Sequence, residues 1–305
     1  MTEGSQEILS LNQKYGIPDR IEFRAGPGGL TTAYVSTSHA NAAVSLLGAH
    51  VLDYRPIGQP AVLWMSQSSW FETGKPIRGG IPLCWPWFGA HLQDPAQPLH
   101  GFVRLIPWQV YDSRMLPGDV ARLTFRLADS PQSHVLFPHP FEIRLTVEIG
   151  TELVVGLWMR NPGGEGYEIT GALHSYFSVG DAAQIQIDGL DKTDYLDKVE
   201  NFNRKSQAGS VKIEGQTDRV YLDTGATCQI VDPVLGRKIS IAKSGSRTTV
   251  VWNPWVERAK VMPDFRPDEY SSMVCVETAN AADDKIFLPS GGEHLLQAVI
   301  RSEPL

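Results

Sequence analysis

The chain has 305 residues, of which 42% are hydrophobic and 20% are charged, so it can bury a large core and is not generally disordered. Its formal net charge of -7 opposes general attraction to nucleic acid or to an anionic membrane. Cys84, Cys228 and Cys275 form no CxxC pair, which argues against a zinc or redox motif and fits a reducing cytoplasm. The N-terminal segment lacks the basic and apolar regions of a signal peptide, and no later segment offers the roughly 18 apolar residues of a membrane span. We therefore expect a cytoplasmic protein with no nucleic-acid or membrane partner.

Period-two alternation of apolar and polar residues dominates the chain and predicts antiparallel strands. Helical character is confined to 5–14 and to a short turn near 256–262. Gly150 and Thr151 join the alternating run 141–149 to the next run, 152–160, as a hairpin. The other strand-like runs, in chain order, are 41–54, 123–127, 166–178, 226–231, 237–242, 248–252, 272–278 and 293–301.

Strands without regular strand–helix alternation predict an all-β protein. We expect a large antiparallel β-sandwich of two packed sheets with few short helices. Because the sequence contains no internal repeat, low-complexity tract or clear linker, residues 1–305 are expected to form a single domain. The region 66–101 is rich in loop-forming and aromatic residues, and long ordered loops on β scaffolds often carry binding residues.

Two arginines mark this loop region, in the segments IRGGIPLCWPWFG (77–89) and HGFVR (100–104). Arg78 and Arg104 could together offset a dianion, because a guanidinium grips phosphate through two parallel hydrogen bonds. Pairing with carboxylates is the alternative and the usual fate of an arginine. Trp87 in the same region and Trp252 in VVWNPW offer flat faces on which a sugar ring could stack, although a tryptophan of a large β protein can equally belong to the core.

His174 and Glu277 are the two candidates for proton transfer. In the strand-like run 166–178, the imidazole of His174 falls on the face opposite the more apolar residues, where a concave sheet could hold a ligand. Glu277 ends the apolar run SSMVCVETAN, and burial there would raise the pKa of its carboxyl and make it a usable base near neutral pH. The alternative for His174 is a histidine that only makes hydrogen bonds, and the alternative for Glu277 is a structural salt bridge.

His100 and Asp218 are candidates for contact with sugar hydroxyls. His100 lies between Leu99 and Gly101 on a loop or at a strand start, and Asp218 begins a strand in QTDRVYLD, with Asp223 as its competitor. Neither the histidines nor the cysteines show a zinc spacing, so we expect no metal. The chain also lacks GxxxxGK[ST], GxSxG, HExxH and a GxGxxG after a strand, which argues against nucleotide-binding, serine hydrolase and zincin chemistry.

Six segments in order along the chain resemble the glucose-6-phosphate 1-epimerase (hexose-6-phosphate mutarotase) branch of the aldose 1-epimerase family. They are RGGIPLCWPWFG, HGFVR, LHSYFSVGD, TDRVY, VVWNPW and VCVETAN, and the resemblance extends over about residues 22–301. It implies the galactose mutarotase-like β supersandwich. Leu99 departs from the family pattern, in which many relatives carry Gln before His-Gly-Phe.

The resemblance assigns roles to five residues: His174 as the catalytic histidine, Glu277 as the catalytic glutamate, Arg78 and Arg104 on the phosphate side, and Asp218 as an acceptor for sugar hydroxyls. It implies an isomerase that interconverts the α and β anomers of a hexose 6-phosphate, most readily glucose 6-phosphate, by acid–base ring opening and reclosure. No cofactor is expected, and we expect a monomer. A free-aldose 1-epimerase and a non-catalytic carbohydrate-binding protein are the alternatives, whereas a glycosidase would need two facing carboxylates.

Overall fold

Antiparallel strands make up most of the regular structure of residues 3–305, the part of the chain that the computed structural model describes. The α-helices in this range are α1 (Glu3–Tyr15), α2 (Pro131–Leu136) and α3 (Trp255–Lys260), and short 3-10 turns lie at Pro27–Gly29, Val103–Leu105 and Glu269–Ser272. The strands of the first half are β1 (Ile21–Ala25), β2 (Thr31–Ser36), β3 (Ala40–Ser45), β4 (His50–Pro56), β5 (Leu83–Cys84), β6 (Gln109–Leu116), β7 (Val120–Ala128), β8 (Glu142–Ile149) and β9 (Leu153–Arg160). Those of the second half are β10 (Tyr167–Ile169), β11 (Gly171–Leu173), β12 (Tyr176–Ser178), β13 (Gln186–Asp188), β14 (Asp194–Asp197), β15 (Asn203–Ser206), β16 (Val211–Lys212), β17 (Thr217–Tyr221), β18 (Cys228–Asp232), β19 (Arg237–Ser244), β20 (Thr248–Asn253), β21 (Met273–Asn280), β22 (Ile286–Leu288) and β23 (Glu293–Pro304).

Two large antiparallel sheets carry the architecture. The nine-stranded sheet has the order β16-β13-β18-β19-β23-β9-β8-β7-β6, and the eight-stranded sheet has the order β15-β14-β17-β20-β21-β11-β5, with β12 also paired to β21. A four-stranded sheet, β1-β2-β3-β4, and the pair β10-β22 complete the pattern. The predicted all-β sandwich with few short helices is confirmed, and none of the helices in residues 3–305 is long and apolar enough to cross a membrane.

One continuous hydrophobic core fills the space between the two large sheets. Leu145 of β8 and Leu296 of β23 enter it from the nine-stranded sheet, and Val251, Val274 and Val276 enter it from the eight-stranded sheet. All five side chains are at most 1% exposed. Because successive side chains of a strand point to opposite faces, the residues between these valines point away from the core, to the outer face of the eight-stranded sheet.

The register of the eight-stranded sheet brings distant segments side by side on that outer face. Asp218 of β17 lies opposite Trp252 of β20, and Val250 of β20 lies opposite Glu277 of β21. These four side chains all lie on the sheet face that points away from the core, as the alternation in SSMVCVETAN predicts for Glu277. Three neighbouring strands therefore present a carboxylate, an indole and a second carboxylate on one surface.

The strand predictions hold where alternation is regular and fail where a run is interrupted. The hairpin of β8 and β9 is confirmed, and so are helical segments at 5–14 and near 256–262. The run 41–54 is divided into β3 and β4, because Gly48 and Ala49 adopt positive φ angles of 71° and 47° and turn the chain. The run 166–178 is divided into β10, β11 and β12.

Helix α2 was not predicted, although its N-terminus carries a recognisable cap. The hydroxyl of Ser130 accepts a hydrogen bond from the backbone N–H of Ser133 at 3.1 Å, and the Ser133 hydroxyl accepts one from the Ser130 N–H at 2.8 Å. Pro131 occupies the first turn, where no N–H is required. The helix has only six residues, which is too short for a clear helical period.

Candidate active site

A cavity of about 720 Å³ opens over the outer face of the eight-stranded sheet. Six of the eight residues that the sequence predicts for the site line it: Arg78, His100, His174, Asp218, Trp252 and Glu277. They come from loops and strands separated by as many as 199 positions in the sequence. The volume lies within the range of roughly 300–1,000 Å³ that is typical of small-molecule sites.

His174 stands at the bottom of the cavity, in the break between β11 and β12. Its backbone N–H donates to Pro82 O at 3.0 Å, and its ring stacks on Tyr176 with centroids 4.7 Å apart and an interplanar angle of 8°. The strand is interrupted here, but the predicted parity persists across the break, because Leu173 and Phe177 enter the core while His174 faces the cavity. The contact with Pro82 holds the backbone of His174, and stacking on Tyr176 holds its ring.

His174 and Glu277 meet directly. The Nδ1 atom of His174 lies 3.4 Å from Glu277 Oε1, and both residues are buried, with 7% and 2% of their surfaces exposed. Neither His174 Nδ1 nor Glu277 Oε2 has a hydrogen-bond partner within residues 3–305. The arrangement leaves two buried polar atoms unsatisfied at the bottom of an open cavity, which is costly in a residue with a purely structural role.

Burial shifts the pKa values of Glu277 and His174 in opposite directions. It raises the pKa of Glu277 well above its ordinary value, and the nearby carboxylate of Asp218 raises that pKa further. Burial also lowers the pKa of His174 well below its ordinary value, and the positive charges of Arg104 and Arg78 contribute to this lowering. This environment thus favours the uncharged form of each group, a protonated carboxyl beside a neutral imidazole, in which the pair holds one proton.

His100 lies next to His174, with ring centroids 5.7 Å apart. Its Nδ1 atom accepts a hydrogen bond from the backbone N–H of Gly89 at 3.1 Å, so in the neutral ring Nε2 carries the proton. Burial lowers the pKa of His100 well below its ordinary value, which keeps the ring neutral. Because this residue lines the cavity, its Nε2–H is available as a donor to a ligand.

Arg78 contributes a compensated positive charge to the cavity wall. Its guanidinium donates to both carboxylate oxygens of Asp264, with contacts of 3.0–3.2 Å, and its Nη1 donates to the Tyr176 hydroxyl at 2.9 Å. Asp264 is only 2% exposed, whereas the Arg78 side chain keeps 22% of its surface accessible. The guanidinium is therefore fixed in orientation and still open to a ligand.

The structure does not bring Arg104 or Trp87 to the cavity wall. Arg104 is 8% exposed, donates from Nη2 to Leu99 O at 2.7 Å, and has an unpaired Nε. Trp87 donates from its indole N–H to Pro98 O at 2.9 Å and packs against Phe102. Both side chains hold the loop that ends in Leu99, and the charge of Arg104 contributes to the lowered pKa of His174. Their direct contacts with phosphate and sugar stay predictions.

Asp218 is paired rather than free. Lys198 Nζ lies 2.9 Å from Asp218 Oδ2, and both residues line the cavity. Burial raises the pKa of Asp218, while the charge of Lys198 opposes this rise. The predicted competitor, Asp223, forms an exposed ion pair with Arg247 and lies outside the cavity lining.

Sequence reasoning missed Lys198, Asp264 and Arg258, which line the cavity with the predicted residues. None of them lies in a pattern that distinguishes it from other surface charges, because each is placed by a loop or a short helix. Exposed apolar side chains at the rim, including Phe202 (56%) and Leu99 (55%), were also not predicted as a group. Phe202 adopts a positive φ of 62°, which is unusual for a bulky residue and typical of constrained functional loops.

A second concavity of about 780 Å³ lies between α1 and the four-stranded sheet and contains none of the predicted site residues. Its arginines are occupied: Arg20 pairs with Asp119, and Arg24 pairs with Glu22. Within residues 3–305, no group of three or more His, Cys, Asp or Glu side chains is arranged to hold a metal ion. The cavity over the eight-stranded sheet is therefore the candidate active site.

Comparison with known proteins identifies the family. The family model described as "Aldose 1-epimerase" matches residues 34–301. The chain belongs to the aldose 1-epimerase family. An Escherichia coli (strain K12) protein named "Putative glucose-6-phosphate 1-epimerase" is 35% identical over 266 residues, which are 87% of this chain and 88% of that protein. As a member of the aldose 1-epimerase family, the chain is an isomerase that interconverts sugar anomers.

Solved structures agree with this assignment. A crystal structure from Salmonella typhimurium, described as a "putative mutarotase (YeaD)", has a TM-score of 0.89 and 31% identity and covers 99% of both chains. A galactose mutarotase-like protein from Clostridium acetobutylicum has a TM-score of 0.73 at 14% identity, covering 93% of this chain and 98% of that chain, and so shares the fold. The galactose mutarotase-like architecture expected of this member of the aldose 1-epimerase family is confirmed.

Proposed function

We propose that this protein interconverts the α and β anomers of a hexose 6-phosphate, most readily glucose 6-phosphate. The observation that carries the proposal is the contact of His174 and Glu277, 3.4 Å apart, at the bottom of a cavity whose wall includes the guanidinium of Arg78. The name of the Escherichia coli relative, which includes glucose 6-phosphate, supports the same substrate class.

Anomer exchange requires one proton acceptor and one proton donor. In the proposed reaction, Glu277 removes the proton of the C1 hydroxyl while His174 protonates the ring oxygen O5. The C1–O5 bond breaks, C1 becomes an aldehyde, and rotation about C1–C2 exposes the other face of the carbonyl. Reclosure reverses both proton transfers, so the pair ends with the single proton with which it began, and no cofactor is required.

The substrate phosphate would assist ring opening by changing the electrostatic field around His174. The positive charges of Arg104 and Arg78 contribute to the lowered pKa of His174. A dianion bound beside them offsets these charges, which raises the pKa of the imidazole. Substrate binding would thereby make His174 easier to protonate, as the ring-opening step requires.

Asp218, His100 and Trp252 line the cavity, which supports their proposed contacts with the sugar. Asp218 would accept hydrogen bonds from ring hydroxyls, and the Nε2–H of His100 would donate to one. Trp252 would offer its ring to the sugar, because it lies on the cavity surface of β20, nearly perpendicular to the His174 ring at a centroid distance of 6.2 Å. These contacts would then hold the sugar with C1 and O5 beside Glu277 and His174, the two groups that exchange protons with it.

A free-aldose 1-epimerase is the second candidate, and the ion pairs of the cavity favour it. Arg78 is already neutralised by Asp264, and Lys198 is neutralised by Asp218. A site for a neutral sugar would have this balance of charge. Measurement of phosphate dependence therefore decides between the two candidates.

The decisive experiment is anomer-exchange NMR with glucose 6-phosphate and with glucose at equal concentrations. We expect the exchange of glucose 6-phosphate to be accelerated at least about tenfold more than that of glucose, since a charged hydrogen bond contributes about 1.5–3 kcal/mol. Equal acceleration of both sugars would favour the free-aldose reading. Acceleration of neither, with binding retained, would point to a carbohydrate-binding protein.

We also propose a single-domain, monomeric protein that works in the cytoplasm. The core cluster that runs from Ile21 to Ile300 supports one domain, and the three buried free cysteines fit a reducing compartment. Light scattering after size-exclusion chromatography tests the monomer, and a mass of twice 33.7 kDa would contradict it.

A further inference from the structure

The charged residues on the cavity wall differ in whether they already have partners. Arg78 is held by Asp264, and Lys198 is held by Asp218, with contacts of 3.0 Å and 2.9 Å. A phosphate that took either cation for itself would have to compete with a carboxylate. For Arg78 that competition is severe, because Asp264 is almost completely buried and would be left as an unpaired charge.

Arg258, on α3, is the exception among these cations. It lines the cavity, and its side chain forms no ion pair or hydrogen bond with any residue of the described range 3–305. The other two charges of the helix neutralise each other, since Lys260 Nζ lies 2.6 Å from Glu257 Oε1. The positive charge of Arg258 is therefore uncompensated by its own helix and by the opposite wall.

The backbone of Arg258 is held in place although its side chain is exposed. The next residue, Ala259, is completely buried, and Met262 is 8% exposed; both pack in a cluster with Trp64 and Tyr176. Tyr176 in turn accepts the hydrogen bond from Arg78 and stacks on His174. The cluster therefore fixes the starting point of the Arg258 side chain relative to the proton-transfer pair.

We propose that Arg258 is the residue that gives this enzyme its preference for a phosphorylated sugar. The inference rests on the proposed function and adds a phosphate ligand that lies outside the predicted pair Arg78 and Arg104. Arg258 can turn its guanidinium fork toward a dianion without breaking an existing ion pair, so its interaction is gained in full when the substrate carries a phosphate. Arg78 contributes orientation and a background charge, and Arg258 contributes discrimination between hexose and hexose 6-phosphate.

The test compares Arg258→Ala with Lys260→Ala, a matched control that removes a cation from the same helix but one that is outside the cavity lining. KM and kcat are measured by exchange NMR with glucose 6-phosphate, and inorganic phosphate is titrated as a competitor. In Arg258→Ala we expect KM for glucose 6-phosphate and the inhibition constant of phosphate to rise about tenfold with kcat nearly unchanged, as for the loss of uniform binding. Lys260→Ala should match the wild type.

Two further arms separate the possible failures. Arg258→Lys should recover part of the loss, since an ammonium keeps the charge without the bidentate fork. If the wild type prefers glucose 6-phosphate and Arg258→Ala retains the whole preference, this inference is wrong and the proposed function stands. If the wild type accelerates glucose and glucose 6-phosphate equally, the proposed substrate class itself is wrong, and the inference falls with it.

Discussion

Replacement of Glu277 by Gln tests the proton-transfer pair through both activity and stability. The substitution keeps the size of the side chain but removes its titration. General acid or base catalysis contributes about 10² to 10⁴ in rate, so the anomer-exchange rate should fall by that factor while sugar-phosphate binding is largely retained. The same variant should alter the pH dependence of the free energy of unfolding, because burial raises the pKa of this carboxyl well above its ordinary value.

The sign of the stability effect follows from proton counting. A carboxyl whose pKa is raised in the folded protein contributes stability that is fully present below its ordinary pKa and is lost as the pH rises toward the raised value. Above about pH 6.5 the unfolded chain has released the protons of both Glu277 and His174, while the folded pair still holds one. From about pH 6.5 upward the wild type should therefore lose stability as the pH rises, by at most the slope of one proton, about 1 kcal/mol per pH unit.

Urea unfolding of the wild type and of Glu277→Gln across this range measures the difference directly. Glu168→Gln is the control, because Glu168 is an exposed carboxyl paired with Lys285 and should leave the wild-type slope unchanged. His174→Asn locates the proton: the slope persists if the proton resides on Glu277 and disappears if it resides on the imidazole. Identical pH slopes for the wild type and Glu277→Gln would refute the one-proton pair, and near wild-type exchange in that variant would refute its catalytic role.

The other predictions concern the ion pairs that surround the site and one buried lysine. The double variant Arg78→Ala/Asp264→Ala should cost less unfolding free energy than Arg78→Ala alone, for which about 3–5 kcal/mol is expected because a buried charge loses its partner. It should raise KM for glucose 6-phosphate less than Arg258→Ala does, because it removes two charges that already neutralise each other; urea unfolding and exchange NMR measure the two effects. Asp218→Asn should slow the exchange of glucose and glucose 6-phosphate alike by about tenfold, since a hydroxyl acceptor serves both sugars, and a loss confined to the phosphorylated sugar would contradict this role. Burial lowers the pKa of Lys243 to about 8, so the folded protein should gain about 2 kcal/mol relative to Lys243→Met between pH 8 and 10 in urea unfolding, and a flat difference would contradict the shift.

Residues on regular strands could be predicted from the sequence with their orientation. The alternation in SSMVCVETAN separates Val274 and Val276 from Glu277, and the structure buries the valines in the core and turns the carboxyl to the opposite face. The hairpin of β8 and β9 follows in the same way from uninterrupted alternation on both sides of a turn. In each case a period of two leaves only one arrangement in which the apolar face is buried.

Residues whose positions depend on loops could not be placed by the same reasoning. His174 keeps the predicted parity, but it lies in a break between two strands, and the stacking of its ring on Tyr176 could not be predicted from alternation. Arg104 shares a segment with cavity residues, yet its guanidinium turns toward the carbonyl of Leu99. The partner of Arg78, Asp264, is 186 residues away, and a separation of that kind is invisible to local patterns.

The division of the site between sheet and loops has a consequence for its chemistry. Glu277 lies on β21, which is paired with a strand on both sides, so its backbone position changes only if the eight-stranded sheet rearranges. Phosphate and rim contacts come from the loop ending in Leu99, the turn that carries Phe202 and the short helix of Arg258, none of which belongs to a sheet. Substitutions in these walls can therefore alter which sugar is bound while the geometry of proton transfer is preserved. This separation predicts that wall variants change KM far more than kcat, and variants of the proton-transfer pair do the opposite.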